Sequence, residues 1–379
     1  MTDSVQRLLE QLRLGIQSSG AVRTARNATR RKPKAGHDPR ADFARLRAAR
    51  RKAKAQQASW RAAWRACRGG VFRGPARQAA DAVLAELAAD PVDLVRRADA
   101  LVFHSSGGKD SVVGLHRAVQ AAKCAGCLHK LVVVHADLGP DTEWPGVREL
   151  AQRQAERYGL RFLVVAAEGG FVGMVEKRGM FPDSKRRLCT STLKRDELAP
   201  IYTQITAALG LDDQALIVSV YGVRGGESAA RAKKAALSLD SRASSGRRLV
   251  LTWNIVHHLS TAEVWQEISE HGLEYHPIYD TGLERLSCAY CILAPEAALV
   301  LATRVCFALG LSIPTVYVEL ERRIGHTFKP GQTLAGVVAA ARMLDALDGP
   351  LAWRRGDAVR RHLGEEACRR WEQRLAVAT

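Results

Sequence analysis

The sequence predicts an α/β fold: a parallel twisted sheet with helices on both faces. Three observations carry this. Short apolar runs of strand composition alternate with helical stretches over residues 76–285. The first run opens directly onto a glycine-rich turn and a helix. The chain has 379 residues, 47% of them hydrophobic, enough for a sizeable core.

The elements follow in order. Residues 78–98 read as an amphipathic helix. Ala100–Phe103 reads as a buried strand, followed by a Gly-rich turn and a helix to about Ala122. Leu131–His135 is a second strand with a helix over 146–158. Arg161–Val165 is a third strand, 191–209 a helix, and Leu216–Val220 a fourth strand. Alternating strands and helices give a parallel sheet, which places ligands at the carboxyl ends of the strands. Residues 229–248, rich in Lys, Arg, Ser and Ala, read as a mobile loop. Ser260 and Glu263 form a capping box for a helix that stops near Gly272. Beyond Cys291 the chain is helical and apolar to about residue 310, with more helices to the end. Three regions result: a basic arm over 1–75, partly helical or disordered; an α/β domain over 76–285; and a cysteine motif with a helical region over 286–379.

Charge is unevenly spread. Residues 1–80 hold 20 Lys+Arg against 4 Asp+Glu, which accounts for +16 of the net +18. Such an arm suits a polyanion, because basic side chains release counterions from a phosphate backbone. Trp60 and Trp64, one helical turn apart, either dock the arm or stack on bases. No apolar run reaches the ~20 residues of a membrane span, and no signal-peptide core opens the chain. A cytoplasmic protein without a membrane partner is expected. Eight cysteines are too few for a disulfide scaffold, so clustered ones point to metal or redox chemistry.

The strongest motif is Ser106-Gly107-Gly108-Lys109-Asp110-Ser111, between a strand and a helix. Paired glycines let the backbone turn tightly and present N–H groups to an anion. The helix N-terminus adds partial positive charge, Lys109 a full one, and the serines hydroxyl donors. Asp110 fits beside a phosphate if it helps hold Mg2+ or caps the helix. The spacing matches neither a Walker A loop nor a dinucleotide fingerprint. Arg224 and Arg231 are seven apart; if the segment is helical they share a face and could clamp two phosphates, with Glu227 orienting Arg224 or holding a metal. Lys194 and Arg195 lie near Cys189 at the start of a helix, and Asp137 follows a strand end. Cys288-x-x-Cys291 is a redox pair, a zinc half-site or a cluster half-site; Cys124-x-x-Cys127, followed by His129, reads as an incidental turn before a separate metal site.

The hexapeptide resembles the pyrophosphatase loop of the N-type ATP pyrophosphatases. Further segments resemble the phosphoadenosine-phosphosulfate reductase branch of that superfamily. These are His135-Ala136-Asp137-Leu138-Gly139 with Glu143, Cys189-Thr190 with Lys194, and Gly222-Val223-Arg224 with Glu227-Ser228 and Arg231. Trp265, His276-Pro277-Ile278-Tyr279 and Gly282-x-x-Arg285-x-x-Cys288-x-x-Cys291 complete the series, over roughly residues 98–295. The resemblance implies ATP and Mg2+ as ligands and AMP transfer with pyrophosphate release. It implies catalytic roles for Lys109, Asp110, Arg224, Arg231 and Cys189. It implies nucleotide binding by Ser106, Gly107, Gly108, Lys109, Asp110, Ser111, His135, Asp137, Gly222, Arg224, Glu227 and Ser228. In cluster-bearing members four cysteines hold a [4Fe–4S] cluster; Cys189, Cys288 and Cys291 match, and Cys306 is the candidate fourth ligand. Sulfonucleotide reductases end in a mobile Cys-Gly-Leu-His type tail, whereas this sequence ends Arg374-Leu-Ala-Val-Ala-Thr379 and Cys368 lacks that context. The character is nearest to DNA phosphorothioation sulfurtransferases. The expected function is adenylation of an acceptor, DNA before tRNA, for sulfur transfer, with a sulfur donor such as a cysteine desulfurase. Reduction of an adenylylated sulfate and non-catalytic nucleotide and DNA binding are the alternatives.

Overall fold

The structure, a computed structural model, describes residues 84, 87, 89–185, 187–212 and 214–378. The arm expected over 1–75, with Trp60 and Trp64, lies outside the described residues.

Six strands form one sheet: β1 (Ala100–Ser105), β2 (Leu131–Asp137), β3 (Arg161–Ala166), β4 (Ala215–Tyr221), β5 (Leu237–Leu239) and β6 (Arg248–Asn254). Their order is β3-β2-β1-β4-β6-β5. All neighbours run parallel except β5, which is antiparallel to β6. β1 is central and therefore covered on both faces, which is why it reads as a continuous apolar run. Its residues alternate: Leu101 and Phe103 enter the larger core, Ala100 and Val102 the smaller one.

Helix α1 (Pro91–Arg97) precedes β1. The single helix expected over 78–98 is broken at Asp90, whose backbone is non-helical and whose side chain caps the amides of Val92 and Asp93, with Pro91 at the first helical position. Helix α2 (Lys109–Cys124) follows β1, α3 (Val147–Glu156) follows β2, and α4 (Gly170–Arg178) follows β3. Helix α4 was not expected; it sits between Gly169 and Gly179, both left-handed. Helix α5 (Glu197–Leu209) supplies Leu198, Ile201, Tyr202 and Ile205 to the smaller core, on the face opposite α2. It begins with a helical turn at Leu188–Thr190 and a π turn at Ser191–Asp196.

The mobile loop expected over 229–248 is largely structured. A helical turn, Ala229–Ala232, and strand β5 lie within it. Its polar residues build a local turn: Asp240 accepts from the amides of Arg242 and Ala243, and Arg248 Nε donates to the Ala243 carbonyl at 2.7 Å. Strand β6 was also missed, although Leu249-Val250-Leu251 is a buried apolar run.

Helix α6 (Thr261–Glu270) opens with the expected Ser260/Glu263 capping box. Five helices complete the chain: α7 (Glu296–Ala308), α8 (Ile313–Ile324), α9 (Leu334–Asp348), α10 (Asp357–Leu363) and α11 (Glu365–Ala378). Val305, Tyr317 and Trp371 from this region join the same hydrophobic cluster as Leu101 and Val113. No described helix is long and apolar enough to cross a membrane.

Candidate functional site

The glycine-rich loop lies where a parallel sheet presents its ligands, at the carboxyl end of central β1. Gly107 has φ +69°, and a Cβ there would meet the Val147 carbonyl at 3.1 Å. Side chains hold the loop open. The Ser106 amide donates to Ser111 Oγ at 3.1 Å, and the Gly107 amide to Ser105 Oγ at 3.3 Å. The Lys109 amide donates to the Tyr279 hydroxyl at 3.0 Å.

Asp110 is the electrostatic pivot. Its Oδ2 accepts from Lys109 Nζ at 3.1 Å and its Oδ1 from Arg224 Nε. Lys109 Nζ also donates to the Glu284 carbonyl at 3.1 Å. All three side chains are largely buried. Asp110 therefore does not cap α2, and both of its oxygens are taken by cations. Arg224 is held by this pair rather than directed outward as a phosphate clamp.

The shared helical face expected for Arg224 and Arg231 does not form. Arg224 and Ser228 are both extended, on either side of a 3-10 turn at Gly225–Glu227. Glu227 connects the two arginines instead. Its Oε2 accepts from the Arg224 amide at 3.2 Å and pairs with Arg231, while its Oε1 pairs with Arg285 at 3.1 Å. Ser228 Oγ caps the next turn by accepting from the Arg231 amide at 3.3 Å. Gly222 lies where the end of β4 meets the first turn of α2.

His135 is buried and faces protein on both sides. Its Nδ1 is 3.0 Å from the Ser105 carbonyl and its Nε2 is 3.4 Å from Glu143. A carbonyl can only accept, so Nδ1 carries the proton. Asp137 closes a turn by accepting from the Gly139 amide at 2.8 Å, with Arg148 3.5 Å from its other oxygen. Asp137 also lines a cleft of 230 Å3 with Asp141, Thr142, Ala166 and Phe171, at the carboxyl ends of β2 and β3.

Cys189, Cys288 and Cys291 come together. Burial pushes the Cys288 thiol up to about 12; Lys194 opposes this, and Cys291, Glu143 and Cys189 add to it. Burial also raises Cys189, with the Thr190 hydrogen bond opposing and Cys291 adding. Cys306 stands apart. It is fully buried on α7, and burial alone pushes its thiol up to about 12, with no cysteine acting on it. It is a core residue and not a fourth ligand beside the other three. Among the described residues, no group of three or more His, Cys, Asp or Glu side chains could hold a metal ion. The residues do not fit a four-ligand cluster. Cys124 is exposed, and buried Cys127 donates to the Ala125 carbonyl at 3.3 Å, within a turn.

A polar group next to the loop escaped the sequence reading. His104 Nε2 is 2.7 Å from Ser219 Oγ and 2.9 Å from the Tyr202 hydroxyl, and its ring stacks on Tyr221 at 4.2 Å. Burial pushes this imidazole down to about 3. In the sequence Tyr279 stands out only as part of a motif, and nothing in that motif shows its hydroxyl reaching the loop, 170 residues earlier in the chain.

A family model described as the phosphoadenosine phosphosulfate reductase domain matches residues 100–294. An uncharacterized 37.8 kDa protein of Escherichia phage 186 is 28% identical over 152 residues, covering 39% of this chain and 42% of that protein. The chain thus matches about two fifths of the length of that curated relative. A crystal structure of phosphoadenylyl-sulfate reductase from Candida auris, in a phosphate complex, aligns with a TM-score of 0.38 at 16% identity. It covers 58% of this chain and 98% of that one. The family model spans just over half of the residues, from the first strand through the cysteine pair, and on that match the chain belongs to the phosphoadenosine phosphosulfate reductase domain family.

Proposed function

We propose that this chain is an ATP-pyrophosphatase-type enzyme that adenylates an acceptor, a nucleic acid, for sulfur transfer. One observation carries the reading. Lys109, Arg224, Arg231 and Arg285 converge on only Asp110 and Glu227 at the carboxyl end of the sheet. Four cations against two carboxylates leave a positive surplus beside a glycine-rich turn, which suits a polyphosphate.

The proposed substrate is ATP with its own Mg2+. Loop amides and Lys109 hold its phosphates, Asp110 fixes Lys109 and Arg224, and Glu227 presents Arg231 and Arg285. An acceptor oxygen attacks the α-phosphorus, its bond to the β,γ-pyrophosphate breaks, and pyrophosphate leaves. The outer sulfur of a persulfide on a donor such as a cysteine desulfurase then attacks the activated atom and displaces AMP, and an added thiol reductant cleaves the remaining S–S bond, which frees the donor and leaves the sulfur on the acceptor. Catalysis rests on positioning and charge neutralisation. No step is assigned to a metal cluster.

Exposed Lys185, Arg187 and Arg195 flank Cys189 in the sequence, and exposed Lys233 and Lys234 follow Arg231, which offers a basic rim suited to a nucleic-acid backbone, in addition to the arm. Reduction of an adenylylated sulfate needs a mobile, activated thiol. Cys368 does not supply one: it is fully buried on α11, its Sγ is 3.6 Å from the Gly356 carbonyl, and burial pushes it up to about 11.

The test is pyrophosphate release from Mg-ATP by anaerobically purified protein, with and without DNA or tRNA. Release stimulated by one nucleic acid supports the reading and identifies the acceptor class. Sulfite release from an adenylylated sulfate would replace it with the reductase. ATP and DNA binding without either product would make the chain a binding partner.

A further inference from the structure

Tyr279 sits at the point where the phosphate loop meets the segment leading to the cysteine pair. Its hydroxyl accepts two backbone N–H bonds, from Lys109 at 3.0 Å and from Leu286 at 3.1 Å. A phenol oxygen has one proton and two acceptor lone pairs. Both acceptor positions are used, and among the described residues no acceptor takes up the proton. Burial keeps the phenol in its protonated form far above neutral pH, and the Asp110 charge adds to this. The hydroxyl is next to the glycine pair: a Cβ on Gly108 would lie 3.2 Å from it and 3.4 Å from Ser106 Oγ. Lys109 Nζ lies 5.3 Å from the centre of its ring.

We infer that Tyr279 is a ligand-binding residue of the phosphate loop, donating its hydroxyl proton to an oxygen of the bound pyrophosphate group. The inference rests on the reading of the loop as a polyphosphate site. The two amides that hold the oxygen also fix the direction of its remaining proton. Tyr279 would then act as a neutral donor beside the charged Lys109. Because the Leu286 amide shares the same oxygen, a bound anion would also tighten the segment two residues before Cys288.

The probe is inorganic pyrophosphate, titrated into the full chain by calorimetry. Wild-type protein should bind it, and Lys109→Ala should lose it. Tyr279→Phe should bind about 10-fold or more weakly, since hydrogen bonds to charged groups are the strong ones. A structural role alone would also weaken the Phe variant, so a second measurement separates the two. A fluorinated tyrosine at position 279 is a stronger acid and a stronger donor, yet a poorer acceptor for the two amides. Tighter pyrophosphate binding at neutral pH supports donation. Unchanged or weaker binding overturns it, as does a folded Tyr279→Phe variant with wild-type affinity. If wild-type and Lys109→Ala proteins both fail to bind, the loop reading itself falls and this inference with it.

Discussion

Gly222 lies against the first turn of α2 so closely that a Cβ on it would stand 2.5 Å from the Asp110 carbonyl and 2.7 Å from Ser111 Cα. Both contacts are backbone and cannot swing aside. The end of β4 thereby sets the position of the residue that pairs Lys109 with Arg224. Gly222→Ala should destabilise the protein by about 1–3 kcal/mol or more, as overpacking does, and should lower pyrophosphate release. Urea unfolding and turnover together check this; a variant unchanged in both contradicts the contact.

Lys109→Ala should abolish pyrophosphate release and leave the fold intact, because Asp110 keeps Arg224 as its partner. Arg231→Ala should also lose turnover without unfolding, since the arginine is only partly buried. Removing Lys109 and Arg224 together would strand a buried carboxylate, at a cost of about 3–5 kcal/mol. A double-mutant cycle in urea should show more than the sum of the single losses. Full turnover in both single alanine variants would remove these residues from the site.

His104 makes stability depend on pH. Its pKa falls from 6.5 to about 3 on folding, so between these values the unfolded chain binds a proton that the folded chain refuses. The contribution is complete above pH 6.5 and is lost as pH falls towards 3, with a slope of about 1.4 kcal/mol per pH unit. His104→Asn should flatten the acid limb of the stability profile by that amount. Urea midpoints for both proteins at pH 7, 6 and 5 test it; parallel profiles would contradict it.

The cysteines should differ sharply in reactivity. Among the described cysteines, exposed Cys124 should react with iodoacetamide first at pH 8. Cys306 and Cys368 are fully buried, with thiols pushed up to about 12 and about 11. They should react only on unfolding, since thiolate and access are both required. Peptide mass spectrometry over a time course reads the order, and early labelling of Cys306 would contradict its place in the core.

Deleting residues 1–75 should weaken DNA or tRNA binding and reduce the slope of log affinity against log salt, while sparing ATP binding. Salt titrations of the full and shortened chains test this. An unaltered slope would assign the phosphate contacts to the basic rim alone.

Much of this was legible in the chain because it is local. The loop hexapeptide, the Ser260/Glu263 cap and four of the strands depend on residues close in sequence. What escaped depends on distance. The pairing of Asp110 with Arg224 spans 114 residues, and the Tyr279 hydroxyl reaches the loop across 170. The seven-residue spacing of Arg224 and Arg231 misled because two extended residues interrupt the helix it presumes. Cys306 misled because a small apolar residue and a ligand look alike until the core is assembled. Residues 229–248 read as loop because arginine and serine dilute a strand pair that their own side chains then stabilise.

Asp280, whose side chain is wholly buried, accepts from the Tyr275 hydroxyl at 2.7 Å, the Ala358 amide at 2.9 Å and Arg355 at 3.2 Å. Two of those partners belong to the last thirty residues of the chain, and Asp280 is the neighbour of Tyr279. The tail of the protein is thus part of the foundation beneath the loop rather than an exchangeable appendage. A proteolytic cut near Gly349, or a graft of the α/β half onto another tail, would leave this buried carboxylate with the Tyr275 hydroxyl but without its cation, and loosen the glycine-rich loop from behind.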